Sequence, residues 1–169
     1  MTDDAAALTG PGRHFTATGY VVHQRRILLH WHSKVRALLP PGGHIDANED
    51  PVEAVLREVR EETALFVEVL PSSTPFPLDY PRQVPPPETI MVEDIQDPVS
   101  GPHQHIDMIY FCRPLGTVEA LNSGWYWVGE EELVRGTPVL ADNGAALVPP
   151  KDVRLLGLAA IRRASSPGA

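Results

Sequence analysis

The first apolar run, residues 15–23, is rich in β-forming side chains, and the polar pair Gln24-Arg25 separates it from a second run at 26–32. The spacing predicts two strands joined as a hairpin. Pro40-Pro41-Gly42-Gly43 is expected to break any regular element. Beyond it the period changes. Val52, Val55, Leu56 and Val59 recur at i, i+3, i+4 and i+7, one apolar stripe of a helix running from Pro51 to about Thr63. Asp50 suits its N-cap, Pro51 its first position and Glu53 the reach-back position of a capping box. Strands are predicted at 66–70, 89–95, 105–113 and 125–128, a short helix from 130, and a longer helix over 150–163 with an imperfect apolar face of Val153, Leu156, Leu158 and Ile161. Strands mixed with a few helices, not strictly alternating, point to the α/β class, with a mixed sheet and helices packed on its faces.

Residues 71–88 break the pattern, holding 7 of the chain's 18 prolines together with Phe76 and Tyr80. Proline removes donors and fixes φ, so an extended excursion is expected. A functional loop and a plain surface insertion both fit. With no internal repeat or domain boundary, residues 1–169 read as one domain with flexible tails at about 1–12 and 163–169.

Composition narrows the chemistry. The longest apolar run, 155–161, is about one-third of the ~20 residues a membrane helix needs, so no membrane partner is expected. The start lacks a basic segment followed by an apolar one, and Cys112, the only cysteine, cannot form an internal disulfide. Both favour the cytoplasm. The apolar neighbours of Cys112 place it in a buried strand rather than as a reactive thiol. The net charge of −8, from 14 Lys+Arg against 22 Asp+Glu, argues against a nucleic-acid polymer as partner. It leaves room for small phosphorylated ligands bridged by a divalent cation.

Glu58, Glu61 and Glu62 fall at i, i+3 and i+4, on one side of the predicted helix. Three carboxylates so placed repel one another, and the helix C-terminus disfavours anions as well. A bound divalent cation relieves both penalties. For three helical glutamates alone, a solvated acidic face is the simpler reading. The surrounding residues change that balance. Gly43, Glu49, Arg57, Glu58, Val59, Glu61, Glu62 and Leu65 fall in register with the Nudix box, G-x5-E-x7-R-E-U-x-E-E-x-G-U, where U is aliphatic. Eight fixed positions match by chance at well below about one in a million per starting point. The segment therefore resembles the Nudix family. Leu39-Pro40-Pro41-Gly42 before it, and Trp127-Val128 with Glu131-Glu132-Leu133 later, echo flanking patterns of the same family. Ala64 stands where the family has glycine. If it takes the left-handed conformation, the cost is roughly 1–2 kcal/mol; otherwise the turn is built differently.

The resemblance implies a Nudix-type α/β/α sandwich whose box forms a loop–helix–loop. It also implies hydrolysis of a phosphoanhydride bond in a nucleoside diphosphate linked to a further group, with a small nucleotide as partner. It implies Mg²⁺ (or Mn²⁺ as a substitute) held by Glu58, Glu61 and Glu62, with Glu58, Glu61 and Arg57 as catalytic residues and Glu49 and Arg57 orienting the ligands. Glu58 is the in-box candidate for the base, and Glu93, Asp107 and Glu131 are candidates outside it. Gly42 and Gly43 would let phosphate or metal ligands approach, or simply turn the chain. Lys34 and Arg36 would contact a terminal phosphate, or are solvated loop charges. Trp31, Phe76, Tyr80 and Trp125 are stacking candidates against a bland core or surface role. Tyr80 and Pro81 lie near a position that hints at substrate in parts of the family, but in a proline-rich stretch the match decides nothing. Among the histidines, His103 and His105 lie close to Asp107, and His30 and His32 share a strand face. Without a familiar zinc spacing they read as structural or substrate-facing. A diphosphate isomerase or a non-catalytic nucleotide sensor on the same fold fits less well, because the box keeps its glutamates. A homodimer stays open.

Overall fold

The computed structural model describes residues 12–118, 121–141 and 144–166. The elements, in chain order, are β1 (Arg13–His23), β2 (Arg26–His32), β3 (Ala37–Leu39), β4 (Gly42–His44), α1 (Pro51–Thr63), β5 (Val67–Val69), β6 (Thr89–Asp97), β7 (Gly101–Pro114), β8 (Trp125–Gly129), α2 (Glu130–Arg135), β9 (Val139–Leu140), β10 (Ala146–Leu147) and α3 (Lys151–Ala164). β1 and β7 run parallel, with His14 opposite His105, Thr16 opposite Asp107 and Val21 opposite Cys112. β6 and β5 pair antiparallel with successive parts of β7. β4 and β2 likewise pair antiparallel with successive parts of β1. β3 and β8 extend the sheet from β2.

Alternation along the strands divides the core in two. Ala17 and Val21 of β1 and Tyr110 and Cys112 of β7 pack under Ala54, Val55 and Val59 of α1. Tyr20 and Val22, with Ile109 and Phe111, pack instead under Val153, Ala160 and Ile161 of α3. The result is the expected mixed α/β sheet between helices. Val55 and Val59 are fully buried, each contributing about 1.5–3 kcal/mol through apolar burial. The buried thiol of Cys112 is pushed up to about 12 by desolvation, as suits an inert core residue.

The start of α1 is as the sequence predicts. Asp50 accepts from the Val52 and Glu53 N–H groups, and Glu53 accepts from the Asp50 N–H, completing the capping box. Its exit is the strained alternative, with Ala64 left-handed at φ 65°.

Three expectations are corrected. Gly42 and Gly43 do not break regular structure: they begin β4, because Thr18 and Ala17 of β1 offer them ladder partners. The short β3 and the β9–β10 pair were not anticipated; elements this short carry too little alternation to be read. The C-terminal tail does not begin at 163. Arg163 lies within α3, where its guanidinium donates to Pro71 O and to Glu88. The other end of the proposed tails, residues 1–11 and 167–169, lies outside the described residues.

Residues 71–88 hold no helix or strand, as expected. Gln83 bonds both backbone groups of Phe76, and Arg82 donates to Asp50 at 2.6 Å, which fastens the loop to the start of α1.

Candidate active site

α1 presents its acidic side to β4. Arg57 is the hub. Its Nε and Nη2 donate to Glu49 at 2.9 Å each, its Nη1 to Glu58 at 2.7 Å, and its Nη2 also to His44 O at 3.0 Å. Glu61, more exposed, lies 3.5 Å from Nη1. These bonds favour the charged guanidinium and raise its pKa, with Glu49 the largest contributor and Glu58 next. The same bonds, above all the one from Arg57, hold the Glu49 carboxyl below its usual range.

Gly42 and Gly43 bring the backbone against the acids. A Cβ at Gly43 would fall 2.5 Å from Glu58 Oε1, and one at Gly42 would fall 2.7 Å from Ala17 O. The Gly42 N–H donates to Glu62 Oε2 at 3.2 Å. Glu62 is half-buried, and its carboxyl is pushed up to about 7, mainly by desolvation and further by Glu58 and Glu61; the Gly42 N–H opposes the shift. Two carboxylates are thus close enough to resist ionisation of a third, a tension that a hard cation among oxygen donors relieves. The donor set, three carboxylates, is of the oxygen type such an ion takes. In this arrangement Glu58 and Glu61 turn toward Arg57 while Glu62 turns toward Gly42.

The C-terminal end of α1 is fixed from outside the box. Glu62 O accepts from Trp125 Nε1 at 3.0 Å and from Asn122 Nδ2 at 2.8 Å, which satisfies one of the carbonyls a helix end leaves bare. Trp125 also stacks on His30, with ring centroids 4.4 Å apart. Its role here is to clamp the helix. Asn122 had no signal in the sequence, because its use depends on where β8 brings the chain. Trp31 packs against the α3 core, while Phe76 and Tyr80 are exposed on the proline-rich loop.

The candidate bases outside the box do not gather around it. Asp107 is 5% exposed and accepts from Thr16 at 2.9 Å and from Thr18 at 2.8 Å. The β1–β7 register puts it on the face that carries α3, opposite α1. Glu93 pairs across from His105 on that same face. Burial raises both carboxyls; Asp107 raises Glu93 further, and the two threonines partly offset the shift at Asp107. Glu131 lies on α2, after the end of β8 that pairs with Arg26 and far along β1 from β4, and faces Arg135 at 3.6 Å. Lys34 and Arg36 are exposed in the turn between β2 and β3. The Asp97 carboxyl is lowered chiefly by the Ser100 and Val99 N–H groups, with a smaller contribution from Lys34. Among the described residues no ion pair joins either cation to the box glutamates.

The histidines converge in a way the sequence did not suggest. His14 of β1 and His44 of β4 join His103 and His105 of β7, with Nδ1 of His14 3.2 Å from Nε2 of His44 and the two β7 rings 3.2 Å apart, Nε2 to Nε2. His105 is lowered to about 4, first by desolvation and then by its three neighbours.

The family model described as the NUDIX domain matches residues 12–151. A crystal structure of a NUDIX-family hydrolase from Clostridium perfringens shares 26% identity and a TM-score of 0.69, over 89% of this chain and 97% of that one. The MutT protein of Methanosarcina mazei Go1 is 15% identical with a TM-score of 0.55, over 92% and 98% of the two chains. The Ap4A hydrolase of C. elegans is 15% identical with a TM-score of 0.51, over 90% and 96%. At those two identities the likeness concerns the fold. No protein of curated function matches the chain. No helix among the described residues is long and apolar enough to cross a membrane.

Proposed function

Because this chain belongs to the Nudix hydrolase family, we propose that it cleaves the phosphoanhydride bond of a small nucleoside-diphosphate derivative, a nucleoside di- or triphosphate or a close relative, with Mg²⁺ held by Glu58, Glu61 and Glu62. The observation that carries the reading is the packing of Glu58 against bare Gly43 and of Glu62 against the Gly42 N–H, which gathers oxygen donors on one strand edge. When bound there, the cation supplies charge neutralisation at the phosphate oxygens and a more acidic water.

The rest of the work falls to the chain itself. Arg57 is a positioning residue: one guanidinium holds Glu58, Glu49 and the β4 backbone in a fixed relation. Glu58, wedged between Arg57 and Gly43, is the base proposed to take the proton of the attacking water. Gly42 and Gly43, lacking a Cβ, let the β4 backbone lie directly against Ala17 O and the Glu58 carboxylate, which seats the acids beside the strand. Lys34 and Arg36 would meet the substrate's outer phosphate only when it extends to the β2–β3 turn. The buried lone thiol of Cys112 suits a reducing cytoplasm.

The test is a panel of nucleoside di- and triphosphates, oxidised dGTP, ADP-ribose, NADH, nucleotide sugars and dinucleoside polyphosphates, assayed for phosphate or pyrophosphate release with and without Mg²⁺. Glu61→Gln and Glu62→Gln should each cut turnover of the best substrate by at least about a hundredfold, with the melting temperature unchanged or raised. Undiminished turnover in both variants would overturn the assignment.

A further inference from the structure

We infer that His14, His44, His103 and His105 form a second metal site, separate from the box, that takes a four-coordinate divalent transition metal of the zinc class. The argument begins with the registers. β1 places His14 directly opposite His105, and the period of two puts His103 on the same face. β4 places His44 opposite Thr16, so its side chain rises on that face too. The ring centroids of His14 lie 5.3, 4.9 and 6.1 Å from those of His44, His103 and His105. Those of His44 and His105 are 4.9 Å apart. The ligand atoms of His14, His103 and His105 all fall within 4.8 Å of one another, the one group of three such residues among those described.

The spacing suits the metal. Four nitrogens at 2.0–2.1 Å from a tetrahedral ion stand about 3.3 Å apart. The His14–His44 and His103–His105 pairs already meet at 3.2 Å. Closing the remaining distances among the three converging rings asks for shifts of at most about 1.5 Å, within the reach of side-chain rotation.

Ring orientation points the same way. His103 Nδ1 lies 2.9 Å from Gly101 O. A carbonyl only accepts, so Nδ1 carries the hydrogen and, in the neutral ring, Nε2 is a bare lone pair turned toward His105. A backbone carbonyl that fixes the tautomer of a ligating imidazole is the usual support of a metal-bound histidine. A hydrogen bond within each pair would satisfy two rings at a time, but it gives no reason for the two pairs to meet.

The donor set defines the ion. Imidazole nitrogen favours zinc, copper, nickel and cobalt, whereas Mg²⁺ selects oxygen. The two sites therefore sort their ions by chemistry. An ion held here would pin the start of β1 and the three-residue β4 to β7. β4 also bears the glycine against Glu58 and the carbonyl that receives Arg57.

The experiment uses full-length protein stripped with chelator and titrated with Zn²⁺ alone and with Co²⁺ alone. Wild type should bind one tight equivalent of Zn²⁺, and Co²⁺ should give the visible d–d bands of a four-coordinate nitrogen site. The variant Glu58→Gln/Glu61→Gln/Glu62→Gln should keep both. His103→Gln/His105→Gln should lose both, while its metal-free melting temperature stays near that of wild type. Zinc at a hundredfold excess over its Kd should raise the wild-type melting temperature by about 5–10 °C and leave the double variant unmoved. His14→Asn, at an exposed position, should weaken zinc binding roughly a hundredfold, and it decides the matter alone if the double variant does not fold. Loss of the tight equivalent in the triple glutamine variant, or unchanged affinity in the histidine variants, would overturn the proposal. No nucleotide enters the assay, so its outcome is separable from that of the hydrolysis panel.

Discussion

The acids of the box and the four clustered histidines are built in opposite ways. Glu58, Glu61 and Glu62 come from little more than one turn of α1, so a local rule of helix geometry is enough to gather them. His14, His44, His103 and His105 come from three strands and meet only once β1 has paired with both β7 and β4. The first cluster is stabilised against its own repulsion by Arg57 and the Gly42 N–H. The second packs imidazole rings from three strands against one another. Both end on β4, where neighbouring residues Gly43 and His44 point to opposite faces of the sheet. One short strand thus carries a wall of the oxygen site on one side and a ligand of the nitrogen site on the other.

The sharpest way to break that symmetry is Gly43→Ala. Its new Cβ would fall 2.5 Å from Glu58 Oε1, and a flexible carboxylate end yields more easily than backbone, so the fold survives while Glu58 moves. A displacement of about 1 Å in a catalytic group costs on the order of a hundredfold. We expect kcat/KM on the best nucleotide to fall by that factor and cobalt binding at the histidines to be unaltered. Equal losses in both would mean that β4 cannot shift on one face alone and that the two clusters are a single unit.

The same contrast explains what the sequence disclosed. α1 was legible down to its cap because Asp50, Pro51 and Glu53 are local signals, and the box residues keep a fixed spacing. β4 was not legible, since its two glycines are turn formers by propensity and strand formers only because β1 offers free partners at residues 16–18. His103 and His105 were visible as a pair. Their meeting with His14 and His44 was not, because parallel pairing sets a register that no neighbouring residue encodes. Trp125 was visible as an aromatic, yet its bond to Glu62 O depends on β8 crossing back to α1. The Arg82–Asp50 bond, which fastens the proline-rich loop, is long-range in the same sense.

A smaller effect separates the clusters by pH. The Glu62 carboxyl is raised from an ordinary 4.5 to about 7 in the folded chain. Between those values the native state holds a proton that the unfolded chain releases. Stability of the metal-free protein therefore falls as pH rises through that window, and the full cost is present above about 7. Glu62→Gln should melt a few degrees higher than wild type at pH 8 in chelator, with the gap closing by pH 4.5. A gap that persists at low pH would assign the gain to packing and not to the carboxylate charge.

The smallest effect tests the exit of the box without touching either cluster. Ala64 is left-handed, with φ 65°, and its N–H donates to Arg60 O as a helix-ending bond. Glycine adopts that conformation without the Cβ clash, which costs alanine roughly 1–2 kcal/mol, although glycine also loses more freedom on folding. Ala64→Gly should therefore gain about 1 kcal/mol, or about 2–4 °C in a chain of this size, with kcat/KM and cobalt binding unchanged. Thr63, fully buried and bonded to Val59 O at 2.6 Å, holds the preceding turn in place, so the glycine has no slack to transmit toward Glu62. A stabilised variant with altered turnover would show instead that strain at Ala64 helps set the position of the acids one turn earlier.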